Sequence, residues 1–587
     1  MQVSVIIATY NRRRLLERTL PALLSQQFPS ADYEVIVVVD GSIDGTLEFL
    51  HALRHDNLRI LEQRNQGQAA AINTGIHAAC GEILLFLDDD IVCGPTLVAD
   101  HARAPRQERT CLAFGPVLVA SEGRDSLALD WARTFCDNFF ASTVNQSPEL
   151  GWYGCLACAN SSAPRSVIES LGLLDESFSR KNDIELGQRA LQAGHRFVYI
   201  PGAVTHQIFE KTCRDVIADA DEDGGAEVRL CRKFPQLRPR SRFALLWAKP
   251  WWIRIAARVI VIFPVSLELL LRPIVWAFAP LRSRDMFRKI ALRLFHAQQN
   301  IAAYRSAVRE AGSWKALRRE FGARLPILMY HSIGPLREGF DTFLTISPEM
   351  FERHLRWLTR HGYTPIHLAE WIGYCRDGRP LPEKPVVLTF DDGYRDTAEF
   401  GFPLLKKYGF KGTLFLVTDH IGGSNIWDLP LGVSEQPLMA AEEVRHWAAN
   451  GIEIGSHSRS HPDLRSSTSE VIAMELKQSR ACLERLLGTP VTTFAYPYGY
   501  LDHRAPEAAR SVYDAALTCD LGINLLSTDP MLLRRATVVP RFTWGQMFWC
   551  TRFGYNLLLI LRIQAGLQLK PVVKRLFPWV WRDEKAG

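Results

Sequence analysis

Long apolar runs are missing from this 587-residue chain. A membrane-spanning helix needs about 20 consecutive, mostly apolar residues. The longest charge-free runs in the most hydrophobic stretch, Val259–Leu267 and Pro273–Leu281, have nine residues each, which disfavours a plain span. A cysteine framework is missing too. The twelve cysteines are scattered, and the single C-x-x-C, Cys155 and Cys158, reads better as buried thiols than as a metal or redox motif. No basic leader or cleavage site precedes "MQVSVIIATYN", so the expectation is a cytoplasmic first domain. The arginine-dense zone from 232 to 320 lacks any nucleic-acid module pattern. It suits anionic lipid headgroups or a solvated linker. Internal repeats are absent. With 47% hydrophobic and 22% charged residues the chain is not broadly disordered, and its length calls for two to four domains.

What is present is strand and helix in alternation. "VSVIIA" (3–8), "YEVIVVVD" (33–40) and "EILLFLDDD" (82–90) read as strands, with helical patterns over 13–26 and 68–79. That order implies a mostly parallel sheet with ligands at the carboxyl ends of the strands. A second unit of the same style includes "PVVLTF" (385–390), "GTLFLV" (412–417) and "IEIGSH" (452–457).

Carboxylates stand where such a sheet would gather them. Asp40 ends one strand, Asp88 and Asp90 end another, and Asp183 opens a helix. A D-x-D pair can hold a hard divalent ion with one carboxylate and touch a sugar hydroxyl with the other. The ion would neutralise a diphosphate leaving group, and a separate carboxylate could deprotonate an attacking hydroxyl. A single strand-end aspartate is as readily a helix cap or turn former. The ordered set "VSVIIATYNR", "VVVDGSIDGT" (37–46), "NQGQAAAINTGI" (65–76), "LFLDDDIVCGP" (85–95), "LACANSSAPRSVIESLGLLDESF" (156–178) and "NDIELGQRALQAGHRFVYIPGAVTHQ" (182–207) resembles the family 2 glycosyltransferases of GT-A fold. The resemblance implies a nucleotide-diphosphate sugar donor and an inverting displacement. It places Ala8, Tyr10, Asp40 and Asp88 at the nucleotide sugar. It puts Mg²⁺ or Mn²⁺ on Asp90 with help from His206, and makes Asp183 the general base. Val39, Asn182 and Ile72 depart from the family's usual residues on the donor side. No Q-x-x-R-W follows the base, so single addition is expected rather than polymerisation.

The second unit carries a different set. "LTFDDGY" (388–394) ends a strand with Asp391 and Asp392, and "IGSHSRSH" (454–461) spaces His457 and His461 four apart. A helical turn there would aim both imidazoles to one side. One carboxylate and two imidazoles leave coordination positions open, as in a catalytic site for Zn²⁺, Co²⁺ or Ni²⁺. With "FAYPYGY" (494–500), these motifs resemble the polysaccharide deacetylases of carbohydrate esterase family 4, over about 325–545. The resemblance implies a distorted (β/α) barrel that removes N-acetyl groups. Asp391 would be the base, and Asp392, His457 and His461 the metal ligands. Tyr498 would offer its backbone N–H to the oxyanion. Arg535 would orient Asp391, with Arg534 as the alternative. The family's usual carboxy-terminal histidine is missing, since none follows His503. "LPILMYHSIG" (325–334) resembles the first strand of a permuted version, which makes His331 the candidate acid.

The expected architecture is therefore α/β: a GT-A nucleotide-diphospho-sugar transferase domain (1–235), a basic, tryptophan-bearing helical segment (236–324), a deacetylase domain (325–545) and an apolar basic tail (546–587). Tryptophans 247, 251, 252 and 276 suit a headgroup region, so 236–324 is expected at a membrane surface, the alternative being a helical linker packed on the domains. The expected partners are a nucleotide sugar, a lipid- or saccharide-linked acceptor and the cytoplasmic face of an inner membrane. The rival readings keep one unit as a glycan-binding module, or the first unit as a donor-recruiting one.

Overall fold

The computed structural model describes residues 1–107, 111–120, 127–145, 159–262, 285–335, 344–538 and 544–554. The pair Cys155 and Cys158, the stretch 263–284 and the tail from 555 lie outside the described residues. The nine cysteines whose side chains are described are free thiols. Two compact units emerge, and the chain crosses between them more than once. The first holds Met1–Leu237 and Trp251–Leu317; the second holds Arg238–Pro250 and the chain from Arg318 onward.

The first unit is built on ten strands: β1 (Val3–Thr9), β2 (Tyr33–Asp40), β3 (Leu58–Gln63), β4 (Ile83–Leu87), β5 (Ile91–Cys93), β6 (Cys111–Phe114), β7 (Val117–Val119), β8 (Asn160–Pro164), β9 (Arg196–Tyr199) and β10 (Thr205–Gln207). Seven form one sheet in the order β3-β2-β1-β4-β8-β6-β9, and β5-β10-β7 form a small second sheet. The first four strands are parallel. β8 runs antiparallel to both of its neighbours. The continuous apolar runs are explained by burial on both faces. Val3, Val5 and Ile7 meet Leu16, Leu20 and Leu23 of helix α1 (Arg13–Leu24). Ile6, Ile36 and Val38 meet Ile72 and Ile76 of helix α2 (Gln68–Ala78) on the other face. Each such side chain contributes roughly 1.5–3 kcal/mol, more than strand propensity could. Gly75 lets α2 lie close to the sheet, because a Cβ there would sit 2.5 Å from Ile6 Cγ2. The strand order reverses direction between β1 and β4. A crevice therefore opens at their carboxyl ends, where Thr9 and Asp88 stand.

Later helices of the unit include α3 (Asn182–Gln192), α4 (Cys213–Lys233) and, past 250, α5 (Trp251–Ile262) and α6 (Asp285–Ala311). α6 packs along α4. Gly224 makes that approach possible, since a Cβ would meet the Ala303 carbonyl oxygen at 2.1 Å. Arg229 and Glu310 close the seam with a 2.8 Å ion pair. Among the described residues no helix is long and apolar enough to cross a membrane. α5 leaves apolar groups in solvent: Trp251, Trp252, Ile255 and Val259 are 66, 59, 53 and 49% exposed. At about 100° per residue these four fall within about a quarter to a third of the helix circumference.

The second unit is a curled parallel sheet. Its main strands are β11 (Ile327–Tyr330), β12 (Pro385–Phe390), β13 (Gly412–Leu416), β14 (Ile452–Ser456), β15 (Thr493–Ala495), β16 (Ala515–Leu517) and β17 (Ala536–Thr537). They lie in the order β16-β15-β14-β13-β12-β11-β17, with the short Thr364–Pro365 strand beside β12. Leu533 bridges to Leu517 of β16, and three residues later Ala536 pairs with Leu328 of β11. One short segment thus touches both ends of the sheet and curls it into an incomplete barrel. Helix α7 (Ser469–Leu487) follows β14 and turns Ile472, Leu476 and Leu483 to the core.

Candidate functional site

The carboxyl ends of β11, β12, β14 and β15 converge. Asp391 and Asp392 follow β12, His457 and its loop follow β14, and Tyr498 sits in the turn after β15. One carboxylate oxygen of Asp392 and one ring nitrogen each of His457 and His461 lie within 4.8 Å of one another, all buried. His457 Nε2 and His461 Nε2 are each 3.5 Å from Asp392 Oδ1. That oxygen has no hydrogen-bond donor although it is buried. His457 Nδ1 is 2.7 Å from the Ala495 carbonyl, so it carries the proton and Nε2 presents its lone pair. Burial holds both imidazoles neutral, His461 most strongly. Burial, with Asp428 and Asp391 nearby, pushes the Asp392 carboxyl well up. A bare oxygen and two neutral imidazoles converging on one point fit a divalent ion.

Asp391 is held differently. Arg535 Nη1 donates to Asp391 Oδ1 at 2.7 Å, and Arg535 Nε donates to the Thr518 carbonyl at 2.9 Å. Burial would raise the Asp391 carboxyl, but the Arg535 guanidinium, by its charge and its hydrogen bond, outweighs it and keeps it below the usual carboxylate range. Arg534 is exposed. Of the two arginines left open by the sequence, the strand alternation turns Arg535 inward. His331 follows β11 and is half-buried. Burial lowers it to about 4, and it lies within the fields of Asp391, Arg535 and His457.

The histidine spacing works for a reason other than the helical one. Residues 457–463 form no helix. Ser458 and His461 instead take left-handed backbone, at φ 69° and 61°, and Asp392 and Tyr498 do so as well, at 72° and 56°. Among the described residues, half of the eight non-glycine residues with positive φ thus cluster at this site. Strain of this kind persists only where surrounding contacts over-determine it. Ser458 Oγ accepts from the His461 N–H at 3.0 Å. Glu475 of α7 accepts from the N–H groups of Arg459 and Ser460 at 2.8 and 2.9 Å, and from Ser460 Oγ at 2.7 Å.

Sequence reasoning missed the wall of the site. Trp427 stacks on His461 with ring centroids 4.8 Å apart, and Tyr498 packs edge-on at 4.4 Å. Tyr394 Oη donates to Asp428 Oδ2 at 3.2 Å. Trp427 and Asp428 come from a loop with no motif of its own, whereas Tyr394 and Tyr498 stand in the "LTFDDGY" and "FAYPYGY" motifs. Glu475 left one legible sign: a carboxylate in register with Ile472, Leu476 and Ser479 on the apolar face of a helix.

In the first unit the structure brings Asp88, Asp90 and Asp183 into one electrostatic neighbourhood. Desolvation, then the charges of Asp90, Asp89 and Asp183, pushes Asp88 up to about 8. Desolvation lifts Asp89 to about 6. Asp90 and Asp183 are raised for the same first reason. Gln207 Nε2 donates to Asp90 Oδ2 at 3.1 Å, and Asp90 Oδ1 is buried without a donor. Crowded carboxylates and one bare oxygen fit a divalent cation. His206 is not gathered to Asp90. It lies exposed on β10, while its neighbour Gln207 makes the contact. Asp40 is occupied locally: Gln63 Nε2 and the N–H groups of Gln66 and Gly67 donate to it at 2.8, 2.9 and 2.9 Å. Ala8 is half-buried one residue before the end of β1, and Tyr10 just beyond the strand is 49% exposed. An open cavity of about 890 Å³ is lined by Asn11, Arg12, Arg14 and Lys211. Arg12 and Lys211 also act on Asp90.

Comparison with known proteins agrees with this division. Residues 4–169 match the sequence model of glycosyl transferase family 2, and residues 378–513 match that of polysaccharide deacetylase. The glycosyltransferase AglE of Haloferax volcanii is 48% identical over 202 residues, 34% of this chain and 64% of AglE. YxkH of Bacillus subtilis, named for polysaccharide deacetylases, is 29% identical over 232 residues, 39% of this chain and 76% of YxkH. The poly-beta-1,6-N-acetyl-D-glucosamine N-deacetylase of Staphylococcus aureus is 27% identical over 161 residues, 27% of this chain and 55% of its own length. The chain thus joins a segment that matches glycosyl transferase family 2 to one that matches polysaccharide deacetylase.

Proposed function

We propose that this chain adds a sugar to a growing glycan and then removes an N-acetyl group from an amino sugar of the same or a related glycan. The observation that carries the second half is the buried Asp392, His457 and His461 cluster beside an Asp391 locked by Arg535. Asp392, His457 and His461 would hold a divalent ion such as Zn²⁺, Co²⁺ or Ni²⁺. Such an ion supplies Lewis acidity toward the amide carbonyl and lowers the pKa of water. Asp391, ionised and oriented, takes the proton of the attacking water. The Tyr498 backbone N–H is assigned to the developing oxyanion. His331 gives the leaving amine its proton. Because burial keeps the resting imidazole neutral, that proton is one gained during the reaction, from the attacking water by way of Asp391.

In the first unit the donor is a nucleotide-diphosphate sugar, with Ala8, Tyr10, Asp40 and Asp88 on its nucleotide and sugar side. Asp90, without the expected help of His206, would hold Mg²⁺ or Mn²⁺, which would neutralise the diphosphate charge. Asp183 takes the proton of the acceptor hydroxyl, and its raised pKa suits that task. The acceptor is lipid- or saccharide-linked. The chain works at the cytoplasmic face of an inner membrane, with the exposed tryptophans of α5 in the headgroup layer. Fusion keeps the product of one site at high effective concentration for the other.

The test is mass spectrometry of products formed by the full chain from a panel of nucleotide sugars and lipid extracts. Expected is a product that gains one sugar and then loses an acetyl group. Products that gain a sugar but never lose an acyl group, with divalent metal in excess, would sink the second half. Loss without gain would sink the first.

A further inference from the structure

We infer that Glu475 is the positioning residue that shapes the metal-binding loop of the deacetylase unit. This rests on reading Asp392, His457 and His461 as metal ligands. The loop must bring two imidazoles to one point without helical periodicity, and it does so through left-handed backbone at Ser458 and His461. Those conformations are strained for residues with a Cβ, so something must hold them. Glu475 is 3% exposed, and its carboxylate meets the chain between His457 and His461. Successive N–H groups of Arg459 and Ser460 converge on Oε2, and the Ser460 hydroxyl donates to Oε1. Among the described residues no ion pair of Glu475 is found, so its burial is compensated by the loop's own donors. The carboxylate and the loop conformation therefore require each other. Arg459, between the ligands, adds a 2.8 Å bond to Asp419 and a 3.0 Å bond to Gln478 of α7, which ties the same loop to its surroundings.

The chemistry separates two substitutions. In Glu475→Gln the amide oxygen can still accept both N–H groups, while its NH₂ donates to Ser460 Oγ, whose hydroxyl can reverse. In Glu475→Leu three donors lose their acceptor. Co²⁺ titration of the full chain, read by visible absorption and by calorimetry, tests this. Expected is near-native affinity for E475Q and about 10–100-fold weaker binding for E475L, with an altered Co²⁺ spectrum. A purely structural role would lower the melting temperature of E475L but leave the Co²⁺ affinity and spectrum of the folded protein unchanged, and that result would overturn the inference. Should E475L not fold, Ser460→Ala removes one of the three bonds at an exposed position and is expected to weaken Co²⁺ binding several-fold; unchanged binding there overturns the inference equally. If the unaltered chain binds no Co²⁺, the ligand assignment itself fails, which is a separate outcome.

Discussion

Arg535 and Asp391 form a buried ion pair at 2.7 Å, with side chains 0 and 2% exposed. Breaking such a pair leaves an uncompensated charge in low dielectric, at a cost of about 3–5 kcal/mol. Arg535→Met should therefore destabilise the second unit by that order and abolish deacetylation. Arg534→Ala should change stability by less than about 0.5 kcal/mol and leave turnover intact. Chemical denaturation and an acetate-release assay check both. Since Asp391 is depressed in the folded state, its stabilisation is present above the ordinary aspartate range and is lost as pH falls through the folded value.

His331→Ala should keep metal and fold but lose deacetylation by about 10²–10⁴-fold. Metal content of the purified variant, measured beside acetate release, separates the acid role from a ligand role. Near-native turnover would remove His331 from the mechanism.

Asp183→Asn should abolish sugar transfer, by about 10²–10⁴-fold, while deacetylation of a supplied amino sugar continues. Product masses from the two assays decide. Unchanged glycan synthesis would instead favour a first unit that only recruits donor.

The crowded carboxylates predict a pH-dependent response to divalent cations. Asp88 and Asp89 titrate near 8 and 6, above their unfolded values. Their contribution to stability is therefore fully present below about pH 4 and is lost as pH rises through those values. Mn²⁺ should raise the melting temperature of the first unit more at pH 8 than at pH 5. Asp90→Asn should shrink that difference. An Mn²⁺ effect of equal size at both pH values would contradict the assignment.

The exposed face of α5 predicts lipid binding. Replacing Trp251 and Trp252 by serine should release the full chain from vesicles containing anionic lipid, as read by co-sedimentation. Undiminished sedimentation would exclude this helix as the contact.

Much of this was legible in the sequence because the determining physics is local. β-Branched runs bounded by aspartate and glycine located β1, β2, β12 and β14 to within a residue or two. Motif order pointed to the two families, since Asp391 and Asp392 are adjacent and His457 and His461 four apart, each pair just past a strand. Other features had no local signature. Two adjacent arginines look alike in sequence, and only the side on which β17 begins turns Arg535 to Asp391. His206 and Gln207 alternate across a three-residue strand, and the pairing of β10 with β5 puts Gln207 on Asp90. The four-residue histidine spacing suggested a helical turn, whereas a distant carboxylate, Glu475, imposes a strained loop. Trp427 and Asp428 reach the site from a loop whose path is decided by long-range packing. By itself the sequence determined the strands, the family resemblances and the candidate residues, because periodicity and motif spacing are properties of neighbouring residues. The tertiary structure alone decided which arginine, which loop conformation and which supporting carboxylate serve them, because those choices depend on side chains that meet only after the sheet has curled.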